Sequence, residues 1–202
     1  MKKSEVIELI KKKAKKHKVK LNLHNKTEIE YPHEKNMMLG GYFDGDRKEL
    51  GAAYKGKYGF GVLLHESSHM DQWIENEKNW QLIEIYDEDD VFDRWITRKE
   101  NYNKKYVNKI INIYRALELD CEKRTVEKIK KYKINLGIKK YIKNANAYIF
   151  LYTYMKKKRK WPDVSPSGIK EILDVMPDRF LKRYDRMSDK LIKLYDKHCY
   201  LK

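Results

Sequence analysis

His65-Glu66-Ser67-Ser68-His69 is an HExxH pentapeptide, the pattern in this chain best suited to carry chemistry. On a helix, positions i and i+4 fall on one face, so both imidazoles can grip one metal ion. Glu66 stands beside them, placed to take a proton from a water held at that ion. Zinc is the default occupant, one Zn2+ per chain, with three protein ligands and a position left for the water. The bland alternative is a pair of core histidines satisfied by hydrogen bonds. The apolar run Gly61-Val62-Leu63-Leu64 in front of the motif puts the histidines on a buried helix and favours the metal.

The third ligand must come from elsewhere. In the long HExxHxxGxxH pattern a glycine and a third histidine follow; here those positions hold Gln72 and Glu75. After His69 the next histidine is His198, so a carboxylate from a later helix is expected. Around Glu118 the helical period gathers Ile110, Tyr114, Leu117 and Cys121 on one side. Glu118 falls about 40° from that direction, Glu122 about 80° and Asp120 about 120°. A buried carboxylate needs a partner, and a metal is one. Glu118 is therefore the expected ligand, with Asp120 and Glu122 behind it. Glu122, one turn further on, is expected to hold the other ring nitrogen of a ligating histidine. Cys121 also points inward and is expected as a small core residue. Glu88 competes through its spacing, with 18 residues between it and His69. It sits, however, in Asp87-Glu88-Asp89-Asp90 before a helix, where acids complement the helix dipole.

These residues need elements to position them. Ser4 to about His17 reads as a basic helix with Ile7, Ile10 and Ala14 on one face and Ser4 as its cap. Thr27–Tyr31 alternates and stops at Pro32, as a strand does. Met38–Phe43 and Lys48–Tyr54 flank an Asp-Gly tip and predict a hairpin. About Phe60 to Glu75 turns helical and carries the motif. Helices are then expected around Val91–Ile96, Tyr106–Tyr132, Ile138–Lys158, Ile169–Val175 and from Phe180 to the C-terminus. In such an arrangement the strand before the motif can take an extended peptide by strand addition. The small residues Gly51-Ala52-Ala53 of Lys48–Tyr54 would allow its close approach.

Composition narrows the class. The chain has 202 residues, 46 Lys+Arg against 30 Asp+Glu and a formal charge of +16. Only nine of the basic residues are Arg, whose planar fork nucleic-acid readers favour. A Lys-rich solvated surface with only non-specific nucleic-acid binding is expected. The two cysteines, Cys121 and Cys199, form no CxxC pair, which excludes a disulfide framework or a Cys-rich finger. The longest apolar run, Tyr148–Met155, is far short of the ~20 residues that span a bilayer. No apolar stretch follows the basic N-terminus as in a secretory signal. A cytoplasmic protein with no membrane partner is expected.

The order Gly41-Tyr42-Phe43, a hairpin, Lys48–Tyr54, Leu63-Leu64-His65-Glu66-Ser67-Ser68-His69 and a later Glu118-x-Asp120-Cys121-Glu122 resembles the gluzincin-like ImmA/IrrE type of HExxH zinc peptidase. His65–Trp73, Leu117–Ile129 and Ala145–Tyr152 are similar to HExxH proteins of tailed bacteriophages. The resemblance spans about residues 39–160. It implies zinc on His65, His69 and a downstream acid, Glu66 as the catalytic base, and a setting in the cytoplasm of a phage-infected bacterium. The chain differs from the ImmA/IrrE type in the 49 residues from His69 to Glu118, in having Cys121 where Ala is usual, and in lacking an evident helix-turn-helix.

The expected architecture is a single α+β domain over residues 1–202. A basic helix over 1–20 leads into an antiparallel sheet packed on the HExxH helix over 27–80, then a helical half over 89–202. The expected function is zinc-dependent hydrolysis of a peptide or protein substrate. The alternative is a Lys-rich nucleic-acid-associated protein with a structural zinc, which a closed coordination shell would reveal. Tyr148, Tyr152 and Tyr154 are of the right type to stabilise an oxyanion, and nothing in the sequence chooses among them.

Overall fold

A computed structural model of the chain describes residues 1–87 and 90–200. Glu88, the competing ligand, lies outside the described residues. The fold is α+β. Its strands are β1 (Lys20–His24), β2 (Ile29–Glu30), β3 (Met38–Leu39), β4 (Gly41–Asp44) and β5 (Glu49–Ala53). Its helices are α1 (Lys3–Lys16), α2 (Gly56–Ile74), α3 (Lys78–Tyr86), α4 (Val91–Ile96), α5 (Lys104–Lys131), α6 (Ile138–Lys158), α7 (Lys170–Val175) and α8 (Asp189–His198). The chain divides into two compact units with their boundary inside α5. Met1–Glu77 and Cys121–Leu136 form the first; Lys78–Asp120 and the chain from Gly137 onward form the second. This division departs from the single domain expected, because a long helix lets one half of its length serve each core.

In the first unit, α1 buries Val6, Ile10 and Ala14. Val6 replaces the expected Ile7 on the inner face, and the entry is held by the Lys2 amide donating to Glu5 Oε2 at 2.8 Å rather than by Ser4. Three strands form a sheet in the order β1-β5-β4. It is mixed, not antiparallel as expected: β5 runs parallel to β1 and antiparallel to β4. The reason is β1, which the sequence reading passed over although Val19, Leu21 and Leu23 alternate with polar residues. The expected strand Thr27–Tyr31 shortens to β2, which pairs with β3 beside the main sheet.

The position of β5 overturns the substrate-docking expectation for Lys48–Tyr54. Both its edges are paired, so no peptide can add to it. The bare backbone at Gly51 serves the fold instead: a Cβ there would stand 2.2 Å from Tyr42 Cε1, so the tyrosine ring covers that glycine. The sheet edges are β1 and β4. On its other face the sheet packs against α2, which buries Phe60, Leu63, Leu64 and Met70. Each such side chain contributes roughly 1.5–3 kcal/mol.

The second unit is helical. Its core gathers Phe92, Ile96, Ile110, Ile111, Ile149, Tyr154 and Tyr195 among others from α4, α5, α6 and α8. α6 begins and ends where the sequence placed it. α3 was not expected, and none of its residues is buried. The last helix starts at Asp189 rather than Phe180, with Ser188 Oγ accepting from the Leu191 amide. Among the described residues, no helix is long and apolar enough to cross a membrane.

Candidate metal centre

The HExxH pentapeptide lies in the middle of α2, where the helical period turns His65 and His69 to one side. Their rings meet edge to face, with centroids 4.7 Å apart and planes at 88°. His69 is buried and His65 partly so. His69 Nδ1 is 2.9 Å from Gln72 Oε1, and Gln72 is fully buried. His65 Nδ1 is 3.4 Å from Glu122 Oε1. Each imidazole is thus gripped at the same ring nitrogen, one from its own helix and one from α5.

The grip from α5 was foreseen. The cysteine beside it was not. Cys121 Sγ lies 3.6 Å from His65 Nδ1 and 3.4 Å from the His65 carbonyl, to which the thiol donates. His65, His69 and Cys121 offer ligand atoms that all lie within 4.8 Å of one another, a group that could hold a metal ion. Glu118, the ligand expected from the sequence, is buried as expected, and its Oε1 accepts a hydrogen bond from the Tyr152 hydroxyl at 3.3 Å. It is not a member of the group of three. Asp120 is only partly buried. The wheel had put Cys121 at the centre of the inner face of α5; what it could not show is that α2 meets that face at His65.

The two serines inside the motif fix this meeting. Ser68 Oγ accepts from Thr125 Oγ1 at 3.0 Å, and Ser67 Oγ accepts from Lys128 Nζ at 2.8 Å. Lys128 also pairs with Asp71 at 2.8 Å, and Asp71 with Lys13 of α1 at 2.7 Å. Burial pushes the Lys128 ammonium pKa down, with Asp71 opposing it. Thr125 and Lys128 follow Glu122 at three-residue intervals, so they lie along one side of α5. They set the rotation that brings Cys121 and Glu122 to His65.

Electrostatics at His65 follow from these neighbours. Burial works against a charge on the ring, but Cys121 and Glu122 beside it together prevail and hold its pKa well above the usual imidazole range. An incoming cation must therefore displace a proton, as metal binding to histidine generally does.

Glu66 is buried under β4. A Cβ on Gly41 would stand 2.8 Å from Glu66 Cγ and 2.6 Å from Val62 Cγ1. Only a glycine lets the strand come so close to the candidate base. The sequence reading noted Gly41 as part of a resemblance but gave it no role; nothing local marks a glycine whose neighbour lies across the sheet-helix interface. No protein-family model, curated protein or solved structure matches this chain.

Proposed function

We propose that this protein is a zinc-dependent peptidase whose centre is built on His65, His69 and Glu66. One observation carries the reading: on a buried helix, the two HExxH imidazoles are both held at Nδ1, by Glu122 and by Gln72. Metal-binding histidines are held in this way, because a partner at one nitrogen fixes the tautomer and aims the lone pair of the other. Both rings then present Nε2 to a common point.

We assign the third ligand to Glu118. It precedes Glu122 by one turn of α5, and residues four apart share a helix face. The helix that turns Glu122 to His65 therefore carries Glu118 on the same side. Cys121 is the competing ligand; its sulfur lies against the Nδ1 side of His65 and its proton is given to the His65 carbonyl.

Bound here, zinc would polarise a peptide carbonyl and lower the pKa of a water. Glu66 takes the proton of the attacking water and delivers it to the leaving amine. The strand over Glu66 is β4, an edge of the sheet. An extended peptide can add to such an edge through main-chain hydrogen bonds, which tolerate many sequences.

The test is Glu66→Gln. Glutamine keeps the shape but is no base, so zinc should stay at about one per chain while hydrolysis of a protein substrate such as casein disappears. A variant that still hydrolyses, or that loses its zinc, would remove Glu66 from the proposed role.

A further inference from the structure

The fold chooses among the three tyrosines of α6. The Tyr154 hydroxyl donates to Asp196. Tyr148 stands edge-on to Tyr152, with centroids 5.9 Å apart and planes at 89°. The Tyr152 hydroxyl donates to Oε1 of Glu118 at 3.3 Å, and both residues are buried.

The ring that carries this hydroxyl is locked. Tyr114 stacks on it nearly parallel, at 5.9 Å and 10°. Phe92 packs against it at 6.3 Å and 32°. Tyr114 is itself tied down by its hydroxyl, which donates to Asp87 Oδ2 at 2.5 Å. Asp87 in turn accepts from the Phe92 amide at 2.7 Å. The phenol therefore has one direction in which to donate, and Glu118 lies in it.

We propose that Tyr152 is a positioning residue for the metal: its hydroxyl holds one carboxylate oxygen of Glu118 and so presents the other to the ion. This rests on the zinc-peptidase reading, and on Glu118 as a ligand in particular. A carboxylate on a flexible stem loses rotational freedom when it ligates, and a partner that restrains it beforehand raises affinity. A buried phenol that only satisfied its own hydrogen bond would have no such effect on the metal.

The experiment measures Co2+ affinity and the cobalt visible spectrum in the whole protein. The variants are Tyr152→Phe, Tyr148→Phe, Glu118→Gln and the double variant Tyr152→Phe/Glu118→Gln. Tyr152→Phe keeps the ring and its packing. It should weaken Co2+ binding roughly 10–100-fold and shift the visible bands, while Tyr148→Phe does neither. In the Glu118→Gln background the Tyr152→Phe effect should vanish, because the ligand it orients is gone. Unchanged affinity and spectrum in Tyr152→Phe, or an equal loss with and without Glu118, would overturn the inference and leave the metal reading standing. Wild-type protein that takes up no Co2+ would overturn both.

Discussion

Glu122 Oε1 stands 3.4 Å from Nδ1 of His65, so a carboxylate on α5 grips the first histidine of the motif on α2. The contact lies within one compact unit. It is set by the Ser67–Lys128 and Ser68–Thr125 bonds that fix how α5 turns against α2.

If that grip orients the ring, Glu122→Gln should weaken zinc binding roughly 10–100-fold and leave the fold intact. Chelator competition reads the affinity and circular dichroism the fold. Equal affinity in the two proteins would make the contact incidental to the metal.

Cobalt separates the two candidate third ligands. A thiolate bound to Co2+ gives an intense near-ultraviolet charge-transfer band; carboxylate and imidazole do not. With Glu118 as ligand, wild-type protein should lack that band, Cys121→Ser should bind Co2+ much as wild type does, and Glu118→Gln should bind it more weakly. A strong band that disappears in Cys121→Ser would move the assignment to His65, His69 and Cys121.

Gly41→Ala adds a methyl group where Val62 and Glu66 already stand. Such overpacking costs about 1–3 kcal/mol, and relief requires Glu66 or β4 to move. Thermal unfolding should occur at lower temperature, and hydrolysis should fall by more than the folded fraction does. Full activity at normal stability would show that the strand and Glu66 are not packed as described.

Acid stability offers a test in the second unit. Burial raises the pKa of Asp87, with the hydrogen bonds from Tyr114 and the Phe92 amide only partly opposing it. The folded state then binds more protons than the unfolded state between the ordinary carboxylate value and the raised one. Asp87 therefore contributes most to stability below its unfolded pKa, and that contribution is lost as pH rises through the folded value. Asp87→Asn cannot titrate and can still accept from the Phe92 amide. Its stability relative to wild type should improve as the pH is raised from acid to neutral. Urea midpoints across that range would show it; a difference that stays constant or shrinks would contradict the assignment.

The sequence by itself determined what can be read locally. The histidine spacing and the apolar run before it put His65 and His69 on one face of a buried helix, because the helical period is fixed by backbone geometry alone. The same arithmetic put Glu118, Cys121 and Glu122 inward on α5, and all three are buried. α6 was legible over its whole length for the same reason. Tertiary structure decided which inward residues meet. Whether Cys121 stands beside His65 depends on the rotation of one helix against another, and that is set by Ser67, Ser68, Thr125 and Lys128, whose partners lie far apart in the chain. The parallel pairing of β1 with β5 made β5 central and moved the open edge to β4. Strand order is a long-range property: alternation shows that a segment can pair, and only packing decides with which neighbour and on which side. Gly41 belongs to the same class, since a missing side chain acquires a meaning only when Glu66 is brought against it.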